Sequence, residues 1–183
     1  MKYLVTERQM ALLVKEEEMP DGAVGTLKYS SKSQVYDMGD SVLKIYPSVR
    51  ERDYRMAITY FPKNPKVFPK ILKVDRNKMW FEKMDAEEAR YQFNEIDRII
   101  VNRSWKKQTP LNSFAHYLQV WNHPTKAIPL PGGLNKEQLA NAQRFANCVA
   151  EVKRTVGKSR FLPDVISRNF GYAADGTLKM LDI

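Results

Sequence analysis

Three polar residues near the C-terminus and one lysine in the first third of the chain could together act on a phosphate. Asp164 and Asn169 stand five residues apart, and Asp182 follows them after a short segment with the pattern of two strands. A carboxylate can accept the proton of an attacking hydroxyl, and magnesium prefers carboxylate and amide oxygens as ligands. Lys44 lies within an apolar stretch, where its ammonium group either faces solvent at a sheet edge or serves a charged ligand. Phosphoryl transfer from a nucleotide requires these residue types.

The first half of the chain has the patterns of helices and of strands separated by turns. Thr6 and Gln9 have capping-box spacing, which predicts a helix over 6–18. Ser48 is the predicted N-cap of a second helix over 48–61. The apolar residues expected on the buried side of this second helix are Val49, Met56 and Tyr60, and strands are expected at 26–29, 34–37, 41–46, 71–74 and 79–82.

The second half has mainly helical periodicity and ends in a hairpin pattern. Asn135 and Gln138 form another capping box, which predicts the start of a long helix. Asp175 and Gly176 are typical turn residues of a two-stranded hairpin. Helices are expected at 86–101, 111–121 and from Asn135 to about Val156, and the hairpin strands at 170–173 and 177–181. The apolar stripes are Ala89, Phe93, Ile96 and Ile100 in the first of these helices and Leu139, Ala142, Phe145, Ala146, Val149 and Val152 in the last.

The spacing of Asp164, Asn169 and Asp182 resembles the catalytic loop and the metal-binding aspartate of protein kinases. The segment 42–44, Val-Leu-Lys, is similar to the kinase V-A-I-K pattern on the third strand. The chain also resembles small-molecule kinases of the aminoglycoside-phosphotransferase type and the divergent Ser/Thr protein kinases that bacteriophages encode. The order of the elements agrees with this resemblance.

The resemblance implies an α+β, protein-kinase-like fold of two lobes. Residues 1–84 would form an N-lobe with an antiparallel five-stranded sheet and one helix. Residues 85–183 would form a reduced, mostly helical C-lobe that ends in a β-hairpin, with the catalytic loop at 162–169. ATP and magnesium are the cofactors implied.

The resemblance also implies a role for each polar residue. Asp164 would orient or deprotonate the acceptor hydroxyl, and Lys44 would bind the phosphates. Asn169 and Asp182 would hold magnesium. Kinases pair this lysine with a carboxylate of the following helix, here the predicted helix over 48–61. Asp53 is the expected partner of Lys44, with Glu51 as the other candidate on that helix.

Three further segments are implied to contact the nucleotide. Glu82 and Met84 resemble the hinge whose backbone meets the adenine ring, although a plain strand end is the alternative. Ser31 and Ser33 lie where kinases have a glycine-rich loop, and their hydroxyls would replace the glycines. An ordinary polar hairpin turn explains these serines equally well.

Several departures from the kinase pattern bear on activity. Leu162 and Pro163 replace the expected His-Arg, and no Phe-Gly follows Asp182. The chain ends at Ile183, without an activation segment, so we expect either a fragment or a reduced kinase-like protein. Two hypotheses follow: an ATP-dependent phosphotransferase that acts on a protein, or a pseudokinase that binds and inhibits an acidic host protein.

Composition limits the partners and the location. The 30 Lys and Arg residues against 21 Asp and Glu residues give a net charge of +9, which favours phosphates, nucleic acid or an acidic protein as partners. We expect no membrane span and no signal peptide, and therefore a cytoplasmic location, in the host cytosol if a phage encodes the chain. Cys148 falls on an apolar helical stripe and is expected to be buried and inert. His116 and His123 have no neighbouring ligands that would predict a metal site.

Overall fold

The structure of the chain is a computed structural model that describes residues 19–30, 33–107, 113–120, 133–157 and 165–182. These residues form an α+β fold with one five-stranded sheet, one two-stranded sheet and four α-helices. The predicted α+β class and the antiparallel five-stranded sheet are confirmed. The predicted helix over 6–18 lies outside the described residues, and the predicted boundary between 1–84 and 85–183 stays a prediction.

The five-stranded sheet is antiparallel throughout, with the order β1-β2-β3-β5-β4. Short connections join β2 to β3 and β4 to β5, and helix α1, defined below, lies in the connection between β3 and β4. Each predicted strand is confirmed to within one residue at either end. The strands are β1 Gly25–Ser30, β2 Ser33–Asp37, β3 Ser41–Ile45, β4 Ile71–Asp75 and β5 Lys78–Glu82.

The first described helix, α1, spans Glu51–Tyr60 and is preceded by the 3-10 turn Ser48–Arg50. The prediction that Ser48 caps this helix is wrong, because neither the turn nor the helix has a side-chain cap at its N-terminus. Val49 is also not buried: it is 78% exposed. It belongs to the 3-10 turn, which has three residues per turn and does not continue the helical stripe. Ala57 is the residue that α1 buries fully.

Three more helices follow: α2 Ala86–Lys107, α3 Phe114–Val120 and α4 Lys136–Val156. The stripe predicted on α2 is buried at all four positions. The helix extends to Lys107, beyond the end at 101 that the apolar stripe predicts. The capping box of Asn135 and Gln138 on α4 is confirmed. The stripe on α4 is also buried, except that Leu139 is 47% exposed. Leu139 lies in the first turn of α4.

The second sheet is the hairpin of β6 Phe170–Tyr172 and β7 Leu178–Met180. Its turn includes Gly176 at φ 78°, a conformation that glycine adopts without steric cost. Met180 N–H donates to the Val67 carbonyl over 2.8 Å, so β7 is tied to the connection before β4. The hairpin therefore lies between the helices and the five-stranded sheet.

The core of the helical part contains a cluster of four aromatic rings. In five pairs of these rings the centroids lie 5.0–5.9 Å apart. Each of the four is at most 3% exposed. Because β6 contributes one of them, burying the cluster also holds the hairpin in place. The four are Phe93, Phe114, Phe145 and Phe170.

Candidate functional site

The centre of the candidate site is an ion pair between Lys44 of β3 and Asp182, just after β7. Lys44 Nζ lies 3.1 Å from Asp182 Oδ2. The lysine side chain is 13% exposed and the aspartate side chain 43%. The structure therefore brings together two of the residues predicted from the sequence, from opposite ends of the chain, and leaves the carboxylate open to water.

The hairpin explains why Asn169 lies close to Asp182. Phe170 is paired with Met180, and the next hydrogen bond outward runs from Leu181 N–H to the Asn169 carbonyl, over 2.8 Å. Asn169 and Asp182 are therefore near neighbours at the open end of the hairpin, although twelve residues separate them in sequence. Asn169 is 9% exposed, and its N–H also donates to the Ile166 carbonyl over 3.0 Å. A carboxylate next to an amide is an oxygen-donor set that suits a hard divalent cation.

Tyr46 is a site residue that sequence analysis missed. Lys44 Nζ lies 4.8 Å from the centroid of the Tyr46 ring, within the range of a cation–π contact. The ring is 3% exposed, and Tyr54 of α1 packs against it edge-on at 5.6 Å. Burial first, and then the charges of Asp182 and Asp53, raise the pKa of Tyr46 far above its ordinary value. The available signal was the spacing of two between Lys44 and Tyr46, which puts both side chains on one side of an extended segment.

The expected pair between Lys44 and Asp53 is not the one that forms. Asp53 pairs with Arg50 over 2.8 Å, and Glu51, the other candidate, pairs with Arg55 over 2.6 Å. Both arginines lie within one helical turn of their carboxylates, so the local pairs form without any contribution from the sheet. Asp53 still lies close enough to Tyr46 to influence its pKa, which places it at the margin of the site.

Glu82 has a structural role that the sequence did not indicate. Its carboxylate pairs with Lys179 of β7 and accepts the Lys70 backbone N–H over 2.8 Å. The Lys179 side chain is 8% exposed, so its ammonium group is largely removed from water. Glu82 thus joins the sheet to the hairpin through its side chain, which is separate from the predicted contact of its backbone with a nucleotide.

Met84 has backbone groups that are free for a ligand. Its N–H and C=O make no hydrogen bond within the part of the chain that the structure describes. On either side the backbone is engaged: Glu82 N–H donates to Lys70 O over 3.0 Å, and Asp85 exchanges two bonds with Tyr172 over 2.8 and 2.9 Å. Met84 therefore lies between two fixed points and has an unused donor and acceptor.

Gly171 allows strand β6 of the hairpin to approach Met84 closely. A Cβ atom at Gly171 would lie 2.9 Å from Met84 Cβ, closer than real side chains come. The contact therefore requires a residue without a side chain, and it places β6 directly against Met84.

The remaining predicted residues are placed only in part. Asp164 and Ser31 lie outside the described residues, and Ser33 is defined by its backbone pairing with Ser30 at the start of β2. Cys148 is buried as expected, and burial raises the pKa of its thiol to about 12. His116 is exposed, whereas His123 lies outside the described ranges.

No group of three or more His, Cys, Asp or Glu side chains in the described residues could hold a metal ion by itself. Among the same residues, no helix has both the length and the apolar character needed to cross a bilayer.

The comparisons with known proteins identify no family. No protein-family model matches the chain, and no curated protein matches it. Among solved structures, the crystal structure of choline kinase LicA from Streptococcus pneumoniae is similar at 14% identity, over 94% of this chain and 68% of that chain, with a TM-score of 0.34.

Proposed function

We propose that this protein is a phosphotransferase of the protein-kinase type that binds ATP and magnesium between the five-stranded sheet and the β6–β7 hairpin. The observation that carries this proposal is the 3.1 Å contact between Lys44 and Asp182. A lysine on the third strand facing an aspartate after a C-terminal strand pair is the arrangement that the resemblance to kinases implies. The order of the elements, with α1 between β3 and β4, supports the same interpretation.

The charged residues supply the phosphate and metal contacts in this proposal. Lys44 binds phosphate oxygens with its ammonium group, and Asp182 and Asn169 are the residues that would hold magnesium. Magnesium commonly uses one or two protein oxygens and completes its shell with phosphate and water, so two protein ligands fit it. When bound, the ion neutralises charge that develops on the transferred phosphoryl group.

The adenine ring is proposed to bind at Met84. An unused N–H and C=O on the same residue can form a donor–acceptor pair with the edge of a purine. Val42 and Phe81 are paired on β3 and β5, so their side chains lie on one face of the sheet beside this connection. Phe81 is buried in the core, and the half-buried Val42 can provide apolar surface next to the polar contacts, as small-molecule sites commonly do.

We further propose a Ser or Thr hydroxyl of a protein as the phosphate acceptor, with Asp164 as the residue that orients it. The support for this role is the five-residue spacing between Asp164 and Asn169. The next residue, Val165, is fully buried, and the Ile166 carbonyl accepts from Asn169 N–H. The described end of the loop is thus anchored close to the proposed metal ligand.

A second candidate, nucleotide binding without transfer, is favoured by one specific observation. Asp53 pairs with Arg50, so no carboxylate of α1 pairs with Lys44 among the described residues, and the lysine bonds directly to Asp182. An aspartate engaged by lysine has less negative charge to offer a metal ion. A pseudokinase with this arrangement would bind nucleotide weakly or without magnesium, and would act by binding an acidic protein.

The test is ATP binding by calorimetry with and without magnesium, followed by a measurement of ADP release with Ser- and Thr-containing peptides. Lys44→Met and Asp182→Asn should each weaken ATP binding by about tenfold or more, since each removes a charged contact. Lys136→Met and Glu137→Gln remove one exposed charge of each sign at the start of α4, outside the proposed site, and should leave binding unchanged.

The same experiment separates the two candidates. Magnesium-dependent binding, with turnover that Asp164→Asn abolishes while binding persists, supports the phosphotransferase. Binding without turnover supports the pseudokinase. ATP binding that neither Lys44→Met nor Asp182→Asn alters would overturn both.

A further inference from the structure

The segment 63–78, around the start of β4 and its turn to β5, concentrates the positive charge of the protein. It contains six Lys and Arg residues against a single carboxylate, Asp75, so it accounts for five of the nine net positive charges. No acidic side chain in the described residues forms an ion pair with any of the six. Five of the six are exposed, and Lys78 is half-buried. The six are Lys63, Lys66, Lys70, Lys73, Arg76 and Lys78.

Strand β4 lies at the edge of the five-stranded sheet. It pairs with β5 on one side, with an irregular register between Ile71 and Lys73, and no described strand pairs with it on the other. Its residues are exposed from Leu72 onward, with Leu72 at 50% and Val74 at 45%. An edge strand presents unpaired N–H and C=O groups along its outer side, which can form hydrogen bonds with another extended chain.

Two of the cations are held in place by aromatic rings without being neutralised. Lys73 Nζ lies 4.8 Å from the ring centroid of Trp80, its partner across the β4–β5 ladder. Lys63 Nζ lies 4.9 Å from the ring of Tyr60. A ring contact restrains the ammonium group and leaves its charge available to a ligand.

We propose that the outer edge of β4 binds an extended, acidic segment of a partner protein by strand addition. The backbone of β4 would supply hydrogen bonds, Leu72 and Val74 an apolar contact, and Lys70 and Lys73 the preference for acidic side chains. Lysines at a sheet edge also repel a second copy of the same strand. The charge that opposes self-association therefore favours an acidic strand of another protein. Strands β5 and β4 lie beyond β3 in the sheet, so this surface is separate from Lys44 and does not depend on the proposed phosphotransferase.

The test uses a short fluorescein-labelled peptide of alternating glutamate and valine, with fluorescence anisotropy as the readout. The peptide should bind, and binding should weaken as NaCl is added. Charge reversal in the double variant Lys70→Glu/Lys73→Glu should weaken binding by about tenfold or more. The double variant Arg90→Glu/Lys136→Glu changes two exposed helix residues and alters the net charge equally, and it should bind as the parent does.

A second probe leaves the protein unchanged. The same peptide with alternate amides N-methylated keeps its charge but loses backbone donors, so it should bind much more weakly. Hydrogen exchange at the Val74 amide, in the regular part of the β4–β5 ladder, should slow when the unmodified peptide is added. If the N-methylated peptide and a single-stranded DNA oligonucleotide bind as tightly as the unmodified peptide, the surface is a general polyanion site and the proposal fails. Equal weakening in the two double variants would also overturn it.

Discussion

Two lysine–carboxylate pairs join the five-stranded sheet to the C-terminal hairpin region, and they differ in how far water reaches them. In the first pair, Lys44 of β3 is 13% exposed and Asp182 43%. In the second, Lys179 of β7 is 8% exposed and Glu82 of β5 26%. Glu82 also accepts the backbone N–H of Lys70, so its carboxylate has a second fixed partner.

The difference shows how the same chemistry can serve two purposes. Lys179 is nearly buried, so loss of its carboxylate would leave an uncompensated charge, and the pair acts as a permanent tie. The Asp182 carboxylate is 43% exposed and can exchange lysine for water, whereas Lys44, 13% exposed, then requires another anion such as a phosphate. A binding site requires charges that can change partners, which the first pair provides and the second does not.

The largest expected effect comes from breaking the closed pair. Glu82→Ala should lower the free energy of unfolding by about 3 kcal/mol, because the Lys179 ammonium would remain buried without a counter-charge. Urea denaturation measures this change. Glu82→Leu combined with Lys179→Met removes both charges and should recover most of the stability. If Glu82→Ala lowers the free energy of unfolding no more than the double variant does, the pair does not stabilise the contact between sheet and hairpin.

The second effect concerns Tyr46, whose ring lies beside the open pair. Tyr46→Leu should lower the free energy of unfolding by about 2 kcal/mol, because it leaves a partly filled space next to Tyr54. It should also weaken ATP binding, since Lys44 loses the ring that restrains it. Tyr46→Phe keeps the ring and should cost less than about 1 kcal/mol with ATP affinity unchanged. Equal losses of ATP affinity in the two variants would contradict a restraining role for the ring.

The third effect is a small one that sharpens the contrast between the pairs. Lys44→Met should change the free energy of unfolding by less than about 1 kcal/mol, because the carboxylate that it leaves is well hydrated. The same variant is expected to lose ATP affinity, so stability and binding should separate. A loss of stability as large as that of Glu82→Ala would show that both pairs are structural.

The smallest effect concerns the pair of Lys83 and Asp37, whose side chains are 46% and 21% exposed. The Asp37 carboxylate oxygens lie 2.9 and 3.0 Å from Lys83 Nζ. This hydrogen bond, followed by one from Gly39 N–H, holds the pKa of Asp37 below its ordinary value of 3.8. A pKa lowered on folding stabilises the protein above pH 3.8, and the contribution is lost as pH falls through the folded-state pKa. Asp37→Asn should therefore lower Tm slightly at pH 7, and the difference from the parent should vanish in acid. A difference independent of pH would exclude the charge as its cause.

Local patterns were sufficient to predict most elements. Alternation and turn residues located all five strands of the large sheet, because each hairpin is specified by residues within a few positions of its turn. The capping box at Asn135 and Gln138 located the start of α4 for the same reason. Ser48 failed as a cap because a short 3-10 turn intervenes, and no local rule distinguishes that turn from the first turn of a helix.

The candidate site was predicted as a set of residues but not as a set of partners. Lys44 and Asp182 were both named, yet Asp53 was expected to pair with the lysine and pairs instead with Arg50. Tyr46 was read as the end of a strand, although it lies against the lysine. Partner choice depends on distances between segments that are far apart in sequence, which periodicity cannot measure.

The sequence by itself determined the strands, the starts of α2 and α4 and the residue types available for phosphate chemistry, because these depend on neighbours along the chain. Only the tertiary structure decided that Lys44 meets Asp182 while Lys179 meets Glu82, and that one pair stays open to water while the other is closed. The physical reason is that the strength and exchangeability of a charge pair depend on the dielectric around it, and burial is established only when the two sheets and the helices pack together.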